Sequence, residues 1–337
     1  MKAVYLEDIN KPFTIIEKEK PVPGPGEAVV QVKAAALNRR DVWIQKGRYF
    51  IKKYPAILGS DCAGVVTELG EGVDADWQNQ EVIVDPSTDW GDNPRAHSEK
   101  YKIMGMPGDG AFAEYVKVAA ANLYQKPLHL SFAEAAALPL AGVTAYRALF
   151  TKCQLQPGER VLVTGAGGGV ALCAIQFALA AGAQVWVTSG TEEKIELAKD
   201  LGVAGGINYT QENWGKELKA LTGGFDVIID SAAGEGFVQL VKLAKPGGRI
   251  GIYGGTTGMI GQINPAELFW KQLSVFGSTM GTMQDFASMV KLVEEKEIRP
   301  VVDIVFPLEK AEEAMRYMEA GKQFGKIVLQ VGQEVYV

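Results

Sequence analysis

Hydrophobic positions follow two different grammars along this chain. Up to about residue 120 they form short β-branched or alternating runs: KAVYL (2–6), FTIIE (13–17), AVVQVKAAAL (28–37), AGVVTELG (63–70), EVIVD (81–85) and AEYVKV (113–118). Pro-Gly clusters such as Pro23-Gly24-Pro25-Gly26 separate them, so each run predicts a strand bounded by turns. From about 131 the spacing becomes helical in SFAEAAALPLAGVTAYRALF, where Ser131 and Glu134 fit a capping box. Strands and helices then alternate: RVLVTG, a long apolar helix, AQVWVTS, a helix from about Glu192, then GGINY, FDVIID, GGRIGIYG and LSVFGST. The tail returns to the first style, with LEKAEEAMRYMEA predicting a helix and GKIVLQV a strand.

Near-continuous apolar strands alternating with helices predict a parallel sheet covered on both faces. The expected class is α/β. A doubly wound Rossmann domain over 143–283 is inserted in a β-rich domain made of 1–142 and 284–337, and the cleft between two such domains is the default ligand site. A length of 337 residues, 47% hydrophobic and 22% charged, agrees with two globular domains. The net charge of -6 and the lack of a basic run disfavour nucleic acid or an anionic membrane as partner. Glu7 and Asp8 sit where a secretory signal needs apolar residues. The most apolar stretch, Val170 to Val187, contains Gln176 and Gln184, which suits a buried helix and strand better than a membrane span. Cys62, Cys153 and Cys173 are odd in number and far apart, which points to the reducing cytoplasm rather than a disulfide scaffold. With only His97 and His129 besides, there is little material for zinc.

The clearest chemical signal is Arg160–Thr164 running into Gly165-Ala166-Gly167-Gly168-Gly169-Val170-Ala171 ahead of an apolar helix. Strand, glycine turn and helix in this order make a dinucleotide site. The backbone approaches the pyrophosphate without Cβ atoms in the way, and the helix N-terminus offers N–H groups. The pattern is degenerate, with Ala166 and Ala171 filling its first and last positions around Gly168. An NAD site places a carboxylate at the end of the second strand, yet Val187-Thr188-Ser189-Gly190-Thr191 carries none. Removing that repulsion admits a 2′-phosphate, with Lys194 as its partner or, more blandly, as a solvated helix residue. Glu192 and Glu193 lie close to the same spot and complicate this. As first-turn acids they complement the helix dipole and face solvent. NADP is therefore favoured over NAD.

Taken together, PVPGPGEAVVQVKAAALNRRDV, PAILGSDCAGVV, GAFAEYV, AAALPLAGVTAYRAL, the AGGGVA turn and GKIVLQV resemble the medium-chain dehydrogenase/reductase superfamily over nearly the whole chain. The resemblance implies a GroES-like catalytic domain plus a Rossmann domain, usually as a homodimer or tetramer. The zinc alcohol dehydrogenases of that superfamily hold a catalytic metal with a cysteine, a histidine beside a glutamate, and a further cysteine. Aligned by motif, those places hold Asn38, Ser60 with Asp61, and Leu140. Leu140 cannot be a ligand. The zinc lobe between Pro86 and Ala111 keeps its length without its four cysteines, and Trp90, Asn93 and Ala96 stand where the first three would be. No metal is expected. The pattern is most similar to the zinc-independent quinone oxidoreductase (zeta-crystallin-like) branch.

That resemblance implies Lys194 and Tyr209 as 2′-phosphate partners, with Gly190 leaving room for it. It implies Lys326 on the pyrophosphate, Tyr253 by the ribose, Phe276-Gly277-Ser278 beside the nicotinamide, and Thr144 on the nicotinamide ribose. Against these stand plain core packing for Tyr209, Tyr253 and Phe276, and a solvated strand end for Lys326. Without zinc to stabilise an alkoxide, an acceptor that spreads its own charge is easier to reduce, namely a quinone or an α,β-unsaturated carbonyl. By position Asn38, Tyr49 and Arg40 are candidates to stabilise it. Asp41 is a candidate acid or base, with a loop-bracing role as the alternative, while Cys62 reads as a small buried hydrophobe. The expected activity is NADPH-dependent reduction of a quinone or enone. The alternatives are an NADP-dependent alcohol dehydrogenase or ketone reductase, and an NADPH-binding structural or redox-sensing protein without turnover. Loops at 46–55 and 255–263 are expected to set the pocket, and the strand from Leu273 to Ser278 to pair with its copy in a homodimer.

Overall fold

The computed structural model describes residues 1–49 and 53–332. The chain divides into two compact units, one made of Met1–Ala141 with Thr282–Val337 and the other of Gly142–Gly281.

The second unit contains a six-stranded sheet. Its order is Gly205–Asn208, Gln184–Ser189, Arg160–Val163, Phe225–Asp230, Ala244–Ile252, Ser274–Gly277, and all neighbouring pairs are parallel. Counted within the unit this is the 3-2-1-4-5-6 order of a doubly wound Rossmann sheet. The strands are apolar runs because both faces are covered. Val161, Leu162 and Val163, and Val227, Ile228 and Ile229, are all fully buried. Strand order reverses between Arg160–Val163 and Phe225–Asp230, the place where such sheets open a crevice at their carboxyl ends.

In the first unit, the seven-stranded sheet runs Val302–Pro307, Lys326–Gln330, Glu27–Ala36, Asp61–Leu69, Glu81–Val84, Leu123–Gln125, with Tyr115–Ala119 also paired to Glu27–Ala36. Only the first pair is parallel. Val30, Val32, Leu58, Val66, Phe112 and Ile327 pack in its core. Antiparallel pairing brings the start of Lys326–Gln330 and the start of Asp61–Leu69 to the same end of Glu27–Ala36. There Asp61 lies opposite Ala36, and Leu37 N–H donates to the Ile327 carbonyl at 2.9 Å. This convergence builds the site described below.

Two local outcomes differ from the pattern reading. The expected helix at 131–150 is three pieces: Phe132–Ala136, Pro139–Tyr146, and a π-helical turn at Arg147–Lys152. Pro139 has no N–H to continue the first piece, so it begins a new helix instead. The lobe that lacks its cysteines is held by aromatic packing. Trp90 meets His97 and Tyr101 edge-on at 5.8 and 5.3 Å, and His97 stacks on Tyr101 at 4.7 Å.

Candidate functional site

In the Rossmann unit the glycine turn leaves Val163 and enters the helix Gly169–Ala180 through Gly168 as N-cap. Gly165 and Gly167 have φ of 70° and 118°, a region that disfavours any side chain. Gly168 is different. Its backbone is ordinary, it is exposed, and a Cβ there would meet only the Gly165 carbonyl oxygen at 3.8 Å. The fold does not require glycine at 168, and its bareness keeps the space outside the turn clear. Gly169 and Val170 lie half-buried in the first helical turn, whose N–H groups have no intrahelical acceptor, and Ala171 is buried below them. Ala166 is pinned by its N–H to the Thr188 carbonyl at 2.9 Å. These features fit a dinucleotide pyrophosphate.

At the end of the second strand, Ser189 is buried and its carbonyl accepts the Tyr209 N–H at 3.0 Å. Tyr209 is 49% exposed, which excludes core packing for it. A Cβ at Gly190 would lie 2.9 Å from the Tyr209 hydroxyl, so the room at Gly190 is taken by that phenol rather than left for a ligand. Lys194 is half-buried in the first turn of the helix Glu192–Asp200, capped by Thr191. Both first-turn acids are exposed, and Glu192 accepts from Gln211 at 3.1 Å. No carboxylate occupies 187–191, while a phenol and an ammonium flank the strand end.

Other proposed nucleotide contacts lie at the carboxyl ends of the remaining strands. Tyr253 is half-buried, and burial pushes its phenol up despite a hydrogen bond with Ser231. Its N–H donates to the Asp230 carbonyl at 3.0 Å. Asp230, which the sequence reading did not single out, accepts from Thr164 Oγ1 at 2.6 Å and from the Ala233 N–H at 2.8 Å, bracing the loop after its strand. The signal was an acid closing an apolar strand. Phe276 is half-buried and Gly277 exposed, whereas Ser278 is buried with its Oγ unpartnered among the described residues. Thr144 is buried, and its hydroxyl lies 3.8 Å from the Met280 sulfur.

The first unit holds a buried polar cluster. Asn38 caps the helix Arg39–Gln45, where its N–H donates to the Asp41 carboxylate at 2.8 Å. Its amide spans two charges: Lys326 Nζ donates to Oδ1 at 2.7 Å, and Nδ2 donates to Asp61 Oδ2 at 2.9 Å. Because an ammonium can only donate, this fixes which way the amide points. Asp61 also accepts from Lys326 Nζ at 2.8 Å and from the Leu140 N–H at 2.7 Å. Lys326 is therefore neither a solvated strand end nor a lysine with all its donors available for a pyrophosphate. Its side chain is 4% exposed and two of its three donors are engaged. Beside this group, Arg40 Nη1 donates to Ser60 Oγ at 2.7 Å and to the Met104 carbonyl at 2.9 Å, with its guanidinium 5.0 Å from the Tyr49 ring centroid. Burial raises the Asp41 carboxyl to about 6, opposed by the charge of Arg40 and the Asn38 N–H. Asp41 thus braces the Asn38 turn. Burial likewise drives the Cys62 thiol far above its usual range, leaving it a packing residue.

These residues do not fit a catalytic metal. The positions the motifs align with metal ligands are an amide, a hydroxyl, a carboxylate and a leucine. Two side-chain cations already contact the first three. A divalent ion about 4 Å from either cation would be opposed by roughly 8 kcal/mol at an effective dielectric constant near 20. Among the described residues no group of three or more His, Cys, Asp or Glu is placed to hold a metal. Of the acceptor loop at 46–55, residues 50–52 lie outside the described residues. No described helix is long and apolar enough to cross a membrane.

Residues 24–128 match the family described as alcohol dehydrogenase GroES-like domain, and residues 169–295 the family described as zinc-binding dehydrogenase. A zinc-type alcohol dehydrogenase-like protein of Schizosaccharomyces pombe is 37% identical, over 98% of this chain and 99% of its own length. The quinone oxidoreductase of Rattus norvegicus is 31% identical, over 98% and 97%. A crystal structure of an NAD-dependent alcohol dehydrogenase superposes with a TM-score of 0.93 at 40% identity, covering 98% of this chain and all of that one.

Proposed function

The chain belongs to the medium-chain dehydrogenase/reductase superfamily and is an oxidoreductase of that type, and from this premise we propose that it is an NADPH-dependent reductase of quinones or α,β-unsaturated carbonyls that works without zinc. The observation that carries the reading is the Asn38–Asp61–Lys326 cluster with Arg40 on Ser60, which puts two cations and no metal donor set where an alcohol dehydrogenase would hold its Lewis acid.

On this reading the Rossmann unit binds the nucleotide through the turn at Ala166 to Ala171, with Ser189, Lys194 and Tyr209 around the adenosine phosphate. Thr144, Tyr253 and Phe276 to Ser278 serve the nicotinamide half. A nicotinamide held there would supply a hydride to the acceptor's β-carbon or quinone ring, whose displaced π electrons would collect on the acceptor oxygen. The β-rich unit stabilises that oxygen by hydrogen bonds, and water provides the closing proton. The missing carboxylate at 187–191 favours NADPH, since a 2′-phosphate carrying about -1.5 to -2 charges would be repelled by one. A second reading, an alcohol dehydrogenase using NAD, is favoured by the likeness to the 40% identical NAD-dependent alcohol dehydrogenase. Tight nucleotide binding without turnover is the third.

We also infer a homodimer through the strand Ser274–Gly277, one of the two edge strands of its sheet, where Val275 is 42% and nearby Trp270 79% exposed. A monomeric mass by light scattering would remove that inference. The function itself is tested by assaying purified protein with NADPH and NADH against quinones, enones, ketones and alcohols, alongside metal analysis. Enone or quinone turnover with NADPH and no bound zinc is the expected result. Zinc bound one per chain with NAD-linked alcohol oxidation would replace this reading with the second.

A further inference from the structure

Among the described residues, Arg40 is held by one nitrogen only. Nη1 makes both hydrogen bonds that Arg40 forms among the described residues, to Ser60 Oγ at 2.7 Å and to the Met104 carbonyl at 2.9 Å. Nε and Nη2 are buried and have no partner among the described residues. These two nitrogens share the other edge of the planar guanidinium, the edge whose parallel N–H groups grip an oxygen anion as a fork. The edge is not idle through lack of local acceptors. Asp61 takes its hydrogen bonds from Leu140, Asn38 and Lys326, and Asp41 takes one from Asn38. Each neighbouring carboxylate is thus tied to another donor through at least one oxygen; Asp41 Oδ1, like the fork, is buried without a partner among the described residues, none of which fills the fork.

We propose that Arg40 is the catalytic electrophile of this site, its Nε–Nη2 edge binding the acceptor's carbonyl or quinone oxygen and holding it as it becomes an enolate or hydroquinone oxyanion. This rests on the reductase reading above and adds to it the group that does the metal's electrostatic work. Ser60 and the Met104 carbonyl are positioning groups that fix the guanidinium plane. Lys326 and Asp61 lock the Asn38 amide beside it. The Tyr49 ring centroid lies 5.0 Å from the guanidinium carbon and packs against the cation.

The test uses the full-length protein and two variants, Arg40→Gln and Arg40→Lys, in two measurements. The first is equilibrium binding of 4-nitrophenolate, followed by its absorbance, because this oxyanion needs no turnover to report on the fork. Wild type is expected to bind it as the anion. Arg40→Gln should weaken binding about 10-fold or more, and Arg40→Lys should restore part of it. The second is acceptor reduction, where Arg40→Gln should lower kcat/KM about 100-fold or more with the nucleotide KM unchanged. Equal phenolate affinity in wild type and Arg40→Gln, or no binding by wild type, overturns the assignment. If Arg40→Gln does not fold, the same comparison with Arg40→Lys decides, since a lysine keeps the charge and loses the fork. Phenolate binding that depends on Arg40, with no reduction of any acceptor, would sink the reductase reading and leave the assignment of Arg40 standing.

Discussion

Replacing Lys326 by Met asks how much the buried cluster depends on its ammonium. The change removes a 2.8 Å ion pair to Asp61 and a 2.7 Å hydrogen bond to Asn38 Oδ1, while keeping most of the side-chain volume. Asp61, fully buried, would keep, among the described residues, the Leu140 N–H and the Asn38 amide. Removing one partner of a buried pair costs about 3–5 kcal/mol, because the other charge stays behind without compensation. For a unit of this size each kcal/mol moves the melting temperature by about 2–4 °C, so a fall of roughly 6–20 °C is expected. Asp61→Leu alone should cost a similar amount. Lys326→Met combined with Asp61→Leu should cost clearly less than the sum, since no unpaired charge is left. Two units need not unfold in one step, so the assay is urea unfolding read by hydrogen exchange in peptides of the β-rich unit. A Lys326→Met cost under about 1 kcal/mol, or strict additivity in the double variant, would refute the reasoning.

Asp41→Asn should stabilise the protein at neutral pH. The native carboxyl titrates at about 6 against about 3.9 unfolded, so the folded state binds the extra proton between those values and stability falls as pH rises through them. The variant's advantage is expected to grow from pH 4 to pH 7 towards about 3 kcal/mol, and a pH-independent difference would contradict it. Lys194→Ala and Tyr209→Phe should each raise the KM for NADPH several-fold while changing that for NADH less; equal effects on both would remove these residues from the 2′-phosphate. A thiol reagent should find no fast-reacting cysteine in the native protein and three after denaturation, because all three are buried and Cys153 is pushed up to about 12. Trp90→Ala should destabilise the cysteine-free lobe by about 3–5 kcal/mol, while a chelator leaves the wild-type melting temperature unchanged. A chelator-induced drop would show that metal, not the Trp90–His97–Tyr101 packing, holds the lobe.

Much of the architecture was legible in the sequence, because periodicity and turn residues are local signals. Apolar strands alternating with helices after residue 160 specified a doubly wound sheet. The glycine turn after Val163 located the phosphate end of the nucleotide site, since strand, bare backbone and helix N-terminus are contiguous there. The break at Pro139 was also local, but the helical hydrophobic pattern on either side masked it. What sequence could not decide is how distant polar side chains satisfy one another. Asn38, Asp61 and Lys326 are separated by up to 288 positions, and only antiparallel pairing brings those strand ends together. The same holds for the hydroxyl of Tyr209 filling the space at Gly190, and for Arg40 using one edge of its guanidinium on Ser60 and Met104. Burial makes each such hydrogen bond obligatory, and which donor meets which acceptor is set by register between strands far apart in the chain, so the pairing is written in three dimensions only.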